Sequence, residues 1–346
     1  MHKKKVIIAT HEYSGIYKNF KHELEKNNYE VLSLIFTHYR RLDDPNPKTL
    51  LGKLIRKIKK RSNFSELSID NNVVLYRKND ESNIANFLKK YSKDHFDYSL
   101  FVRADFFSLE IIKQVKNICR YNIAYHWDGL GRFNNILNKI NLFDKFFVYE
   151  KNDYEKYKTE YLNLELTNSF YFENEIGVTV NPESSDVFFL GACKESRIDD
   201  IVSGYNALKD LNSELKLKIM LYYEDKKLRQ KYDNQYFTFF DTPMEYSETL
   251  IYTKNTKVIL DFLIKENFNH SGLSLRFFEA LHYKKKIISD NVQVKNYDFY
   301  DPLNIFILGV DDNSRLIDFI QSPYLNLDKK IVEKYSFINW FEAKLS

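Results

Sequence analysis

The chain is short of the residues that staple small domains or bind metals. Among its 346 residues are two cysteines, Cys119 and Cys193, far apart in the sequence. With no Cys-x-x-Cys pair and no His/Cys cluster, neither a disulfide framework nor a zinc site is expected, and a reducing cytosol is the natural setting. No Asp-x-Asp motif follows a suitable strand. The pairs Asp43-Asp44 and Asp199-Asp200 look like turn and helix-start charges, so no metal and no other cofactor is expected. No apolar run reaches 18 residues, which excludes a transmembrane helix. The opening Met1–Ala9 is basic and then apolar, but its apolar stretch is too short for a signal peptide. The net charge is only +4, and no nucleic-acid motif accompanies it, so no nucleic-acid partner is expected. Alanine and glycine are scarce while lysine, asparagine and isoleucine abound. An AT-rich genome produces that bias, and no function is attached to it. No internal repeat or low-complexity tract is present.

What is present is a chain long enough for two cores. At roughly 150 residues per domain, 346 residues suggest two units. Strands alternate with helices throughout, which argues for parallel sheets with crossover helices, an α/β class. In the first unit strands are expected near 5–9, 30–36, 73–76, 98–103, 122–125, 146–149 and 169–172. In the second they are expected near 187–190, 217–221, 237–240, 258–262, 286–289 and 305–308. Asn181-Pro182-Glu183-Ser184 has linker chemistry. The resulting division is 1–182, then 183–321, then a C-terminal helical segment, 322–346, after the break at Ser322-Pro323.

The densest signal lies at 258–291, VILDFLIKENFNHSGLSLRFFEALHYKKKIISDN. A short apolar run marks a buried strand, Ser271-Gly272 breaks it, and apolar residues then recur at helical spacing from Leu273 to Tyr283. Lys284-Lys285-Lys286 closes the helix before the next strand. A small-residue loop at a helix N-terminus offers free backbone N–H groups and a positive dipole end, both suited to a phosphate. Arg276 and Glu279 are three apart and share one helix face. Arginine suits phosphate through its planar fork of donors. A carboxylate suits a ribose diol, whose hydroxyls both donate. An ordinary surface ion pair is the plainer alternative. Lys265 and His270 follow the same strand and would project near a sugar or its phosphates.

The segment HSGLSLRFFEALHYKKKIISDN resembles the donor-nucleotide motif of GT-B glycosyltransferases, nearest to family-4-like enzymes and to transferases of bacterial surface-polysaccharide clusters. The resemblance implies that Glu279 binds ribose and that Ser271, Gly272 and the following amides hold the diphosphate. The family often carries a second Glu eight residues before the first; this chain has Ser271 there. Val187–Gly191 followed by Ser196-Arg197 resembles the first strand of the GT-B nucleotide domain, which implies phosphate contacts for Gly191 and Arg197. A solvated helix-start arginine is the alternative. The block Tyr125–Arg132, YHWDGLGR, and the Phe143-Asp144-Lys145 that introduces a strand resemble the surface-polysaccharide transferases, where this region lines the cleft. By that resemblance His126 and Asp128 bind a sugar hydroxyl or take the acceptor proton. Otherwise Trp127 is core, Asp128 caps a turn and His126 is buried polar. The loop His11–Gly15 after the first strand would also face the cleft.

Leu50–Arg61, LLGKLIRKIKKR, puts leucine and isoleucine on one helical stripe and cations on much of the rest. That pattern suits a helix on an anionic bilayer, with a core-packed helix bearing a solvated basic back as the alternative. Together these readings describe two Rossmann-like domains facing a cleft, with a C-terminal helix crossing back. The function they imply is metal-independent transfer of a sugar from a nucleotide-diphosphate sugar to a lipopolysaccharide, capsular or lipid-linked glycan acceptor. The protein would be cytoplasmic and peripheral on the inner membrane face through the Lys53–Arg61 helix. The alternatives are an epimerase or sugar phosphorylase on the same architecture, or a two-lobed sugar-binding scaffold without catalysis.

Overall fold

The computed structural model describes residues 3–37, 68–173, 176–177, 181–193, 195–223, 230, 237–240, 242–263 and 272–345. The basic segment Leu50–Arg61 and the site candidates Lys265, His270 and Ser271 lie outside the described residues, as does the side chain of Arg197.

The first sheet contains β1 (Lys4–His11), β2 (Tyr29–Phe36), β3 (Ser68–Asp70), β4 (Val73–Tyr76), β5 (Phe96–Val102), β6 (Cys119–His126), β7 (Lys145–Val148) and β8 (Leu164–Leu166). Their spatial order is β3-β4-β2-β1-β5-β6-β7-β8. Among the described strands only β3, on the edge, runs antiparallel to its neighbour. The second sheet orders β9 (Ser185–Ala192), β10 (Leu217–Tyr222), β11 (Phe237–Phe240), β12 (Thr256–Asp261), β13 (Lys286–Ser289) and β14 (Ile305–Ile307) as β11-β10-β9-β12-β13-β14. All its pairings are parallel.

Helices cover both faces, so the strands need apolar residues on both sides. In β1, Ile7 and Ala9 enter one core while Val6 and Ile8 enter the other. The second sheet divides the same way: Val258 and Leu260 face one cluster and Ile259 the opposite one. Among the described residues the α-helices of the first unit are α1 (Tyr17–Lys26), α2 (Glu81–Leu88), α3 (Leu109–Ile118) and α4 (Lys151–Tyr157). Those that follow are α5 (Glu195–Leu211), α6 (Tyr246–Lys254), α7 (Leu275–Tyr283), α8 (Leu316–Gln321), α9 (Lys329–Glu333) and α10 (Phe337–Glu342).

Two expectations change. The strand read at 169–172 is a connector with a single bridge, Tyr171 to Ser336. Its apolar residues serve two cores, Phe170 and Phe172 on the first-domain side and Tyr171 on the second. The C-terminal segment is not one helix. The side chain of Ser336 caps a fresh start by accepting from the Asn339 amide. Before that break, Ile331 and Val332 pack on the second-domain core. After it, Phe337, Ile338, Trp340 and Phe341 join the core of the first domain. Trp340 Nε1 donates to Thr167 Oγ1 at 3.0 Å and to the Asn168 carbonyl at 2.9 Å, fixing α10 there.

Each sheet reverses its winding at one place, between β1 and β5 in the first and between β9 and β12 in the second. Ligands of such sheets bind beyond the carboxyl ends of the strands at these switch points. The loops there carry the residues considered next.

Candidate functional site

On the first-domain side, β5 runs into Arg103, which adopts a left-handed backbone (φ 63°). That conformation is costly for a residue with a Cβ and persists only where the surroundings fix it. Here they do. Nε and Nη2 donate to the two oxygens of Asp105 at 2.7 and 2.8 Å, and Nη1 donates to Asp128. The guanidinium lies over the Phe133 ring at 3.9 Å and the Phe106 ring at 4.9 Å. Burial works against its charge, but Asp105 and Asp128 more than offset this and raise its pKa. Beneath the same loop, buried Lys139 donates to three backbone carbonyls, those of Ala104, Asp105 and Phe107, at 3.2, 2.9 and 2.7 Å.

Asp128 follows β6 and is also approached by Arg132, at 3.4 Å. His126, the last residue of β6, corrects the sequence expectation. Its ring is 0% exposed, so it presents no nitrogen to an acceptor in this arrangement. Neither ring nitrogen has a hydrogen-bond partner among the described residues, and Nδ1 lies 3.6 Å from Asp105. Burial, then the charge of Arg103, lowers its pKa to about 3, so the imidazole is neutral at physiological pH. His126 ends β6 with its ring in the core, and Asp128, two residues on, lies in the loop beyond the strand.

On the second-domain side, Gly191 lies on β9 in register with Leu221. Arg276 Nη1 donates to Asp261 Oδ1 at 2.9 Å, and Nη2 donates to the Leu190 carbonyl. Ser274, the residue before α7, donates to the same Asp261 oxygen at 2.9 Å. The guanidinium is therefore tied to the ends of β9 and β12, with its side chain 29% exposed. Glu279, one turn on, is buried and accepts from the Tyr246 hydroxyl at 2.7 Å. Burial raises its pKa, against the opposing pull of Tyr246 and Arg276. It does not pair with Arg276 as a surface ion pair would.

The two halves meet at Gly272. Its amide donates to Glu150 Oε2, from the end of β7, at 3.1 Å. A Cβ at this position would overlap the Tyr149 ring, so only glycine allows the domains this close. A second contact joins Glu245 to Lys18 at 2.8 Å, beside Gly15, whose φ is +63° and where a Cβ would overlap the Glu245 carboxylate. The structure thus brings Gly272, Arg276 and Glu279 to one rim of the cleft and Asp128 to the other. Sequence reading missed Arg103, Asp105, Lys139, Glu150 and Tyr246. For Arg103 and Glu150 a signal existed, since each lies within two residues of the end of an apolar strand.

An open pocket of about 410 Å³ lies elsewhere, on the flank of α1, lined by residues such as Lys18, Lys21, His22 and Asp70. It contains none of the sequence candidates, so the rim geometry is the better guide to the site. Among the described residues no group of three His, Cys, Asp or Glu side chains could hold a metal ion. None of the described helices is long and apolar enough to cross a membrane.

No protein-family model matches this chain, and no curated protein matches it by sequence. Solved structures do match over its full length. TarM aligns over 100% of this chain and 98% of its own, at 12% identity and a TM-score of 0.55. A UDP-forming trehalose-phosphate synthase from Burkholderia xenovorans covers 99% of both chains, at 7% identity and TM-score 0.54. An alpha-glucosyltransferase in complex with UDP and DNA aligns over 99% of this chain and 93% of its own, at 11% identity and TM-score 0.52. At these identities the likeness establishes architecture: two parallel-sheet Rossmann-like domains around a cleft, the GT-B fold of the glycosyltransferases.

Proposed function

We propose that the protein is a glycosyltransferase that takes a sugar from a nucleotide-diphosphate donor and passes it to a glycan acceptor. The observation that carries this reading is the placement of Gly272, Arg276 and Glu279. A loop glycine, an arginine and a buried carboxylate follow one another at the carboxyl end of β12 and the N-terminal half of α7. They face a second Rossmann-like domain. Glu279 is the ribose acceptor, and the amides entering α7 and its dipole hold the diphosphate. Structural neighbours lend support, since an alpha-glucosyltransferase of this fold was captured with UDP and S. aureus TarM with UDP and alpha-GlcNAc-glycerol.

Asp128 is the acceptor-side carboxylate, held in place by Arg103. His126 contributes from behind, by filling the floor under Asp105. The departing diphosphate is stabilised by fixed dipoles and cations, without a metal, as electrostatic preorganisation requires. The acceptor is a bacterial surface glycan, and the basic Lys53–Arg61 segment brings the enzyme to the anionic membrane that carries it. Each cation near such a surface contributes about 1 kcal/mol.

A thermal-shift panel with UDP, GDP, CDP, dTDP, ADP and CMP, with and without magnesium, tests this reading. A ligand at about 100 times its Kd stabilises by roughly 2.7 kcal/mol, a shift of several degrees. Selective stabilisation by one nucleotide, independent of magnesium, supports it; no shift with any nucleotide, in the wild type and in the Glu150→Ala and Tyr246→Phe variants alike, overturns it. Glu279→Ala is expected to weaken that nucleotide's binding roughly tenfold, the worth of a charge-assisted hydrogen bond. Unchanged affinity in the folded variant, and again in a Tyr246→Phe background, removes the ribose assignment.

A further inference from the structure

The donor groups on α7 and its loop are already occupied, and the occupants have the donor's own chemistry. A phosphate would present an anionic oxygen to the Gly272 amide. Glu150 presents one, at 3.1 Å, from a side chain in a residue only 2% exposed. A ribose would donate a hydroxyl to Glu279. Tyr246 donates one, at 2.7 Å.

Both occupants bridge the domains. Glu150 stands at the end of β7 in the first domain and reaches the second. Tyr246 starts α6 in the second domain, yet its ring packs in the first-domain core with Phe20, Phe170 and Phe337, 5.8 Å from Phe172. Its neighbour Glu245 bonds Lys18 of the first domain at 2.8 Å. The start of α6 therefore connects the domain contact to the ribose carboxylate. The absence of a side chain at Gly272 lets Tyr149 approach, which sets Glu150 against the amide.

We propose that the closed cleft is self-liganded: Glu150 holds the place of a donor phosphate oxygen and Tyr246 that of a ribose hydroxyl, and a nucleoside diphosphate enters by displacing both as the domains part. The inference rests on the donor-site reading above and adds its regulation. An internal partner competes with the ligand, so the affinity observed is the intrinsic one reduced by the fraction of open molecules. Each latch bond is a hydrogen bond to a charged group, strong enough to hold most molecules closed.

The consequence is contrary to what removal of a cleft contact usually does. Glu150→Ala and Tyr246→Phe are each expected to bind nucleoside diphosphate roughly tenfold tighter than the wild type, while the unliganded proteins melt at lower temperature. The test is calorimetric titration of UDP, GDP, CDP, dTDP and ADP into the full chain and both variants, with circular dichroism confirming the fold. Tyr246→Phe keeps the ring and its packing, so it serves if Glu150→Ala does not fold. Tighter binding in the variants, or binding in the variants alone, supports the latch. A wild type that binds while both variants bind equally or more weakly overturns the latch and leaves the donor site standing. No binding by any of the three overturns both.

Discussion

Arg103 and Glu279 are both buried charged residues at the rim of one cleft, yet they are held by different means. The first-domain rim satisfies itself. Arg103 finds Asp105 two residues away and Asp128 on the adjacent strand end, while Lys139 ties down the same loop through three carbonyls. The second-domain rim depends on its neighbour. Gly272 bonds across the cleft, and Glu279 is held by a tyrosine whose ring lies in the other domain's core. A rim fixed within one domain keeps its geometry whether the cleft is open or closed. A rim whose partners come from across the cleft changes state when the domains move. On this view the first domain supplies a preorganised surface and the second a switchable one.

The largest effect should come from breaking the self-contained side. Arg103→Met leaves Asp105, with a side chain 5% exposed, without its counter-charge. Removing one partner of a buried pair costs about 3–5 kcal/mol. Urea unfolding should show that loss, and the double variant Arg103→Met with Asp105→Asn should recover much of it, since no buried charge is then stranded. A loss below about 1 kcal/mol would mean that the network is a solvated pair and the contrast between the rims is false.

His126 sharpens the same contrast through pH. Its folded pKa, about 3, lies below the ordinary value of 6.5. Between those values the unfolded chain binds a proton that the folded one refuses. The neutral ring therefore carries no penalty above pH 6.5, and stability is lost progressively as pH falls from there toward 3. From pH 6 to 4 the loss from this one group is roughly 2 kcal/mol, at about 1.4 kcal/mol per pH unit. His126→Leu should flatten that part of the stability profile measured by urea titration. Parallel profiles for both proteins would show that water reaches the ring and that the floor is not sealed.

The sequence exposed the scaffold more readily than the latch, for a physical reason. Strands such as β1, β9 and β12 are buried on both faces, so each is an apolar run. The loop at Gly272 and the helix face of Arg276 and Glu279 follow from local chemistry. What periodicity cannot supply is the partner. Glu150 and Gly272 are 122 residues apart, and Tyr246 and Glu279 are 33 apart. The first pairing depends on how two domains dock, and the second on how α6 packs against α7. The same limit explains Ser169–Phe172, whose apolar residues looked like a strand but divide between two cores. It also explains His126, where the sequence gives the residue type at a strand end but not on which side of the surface the ring falls.

The smallest expected effect is the most discriminating for the switchable rim. Glu279→Ala removes a ribose contact, but it also frees the protein from breaking the Tyr246 bond when nucleotide enters. The two terms oppose each other, so the single substitution understates what Glu279 contributes. In a Tyr246→Phe background the competing bond is already gone, and Glu279→Ala should then cost more, by about 1 kcal/mol or roughly fivefold in Kd. A double-mutant cycle on nucleotide affinity reads this difference directly. Equal losses in both backgrounds would mean that Tyr246 and the ribose do not compete for the carboxylate. The second rim would then be as self-contained in function as the first is in structure, and the contrast between them would reduce to where the partners happen to lie in the chain.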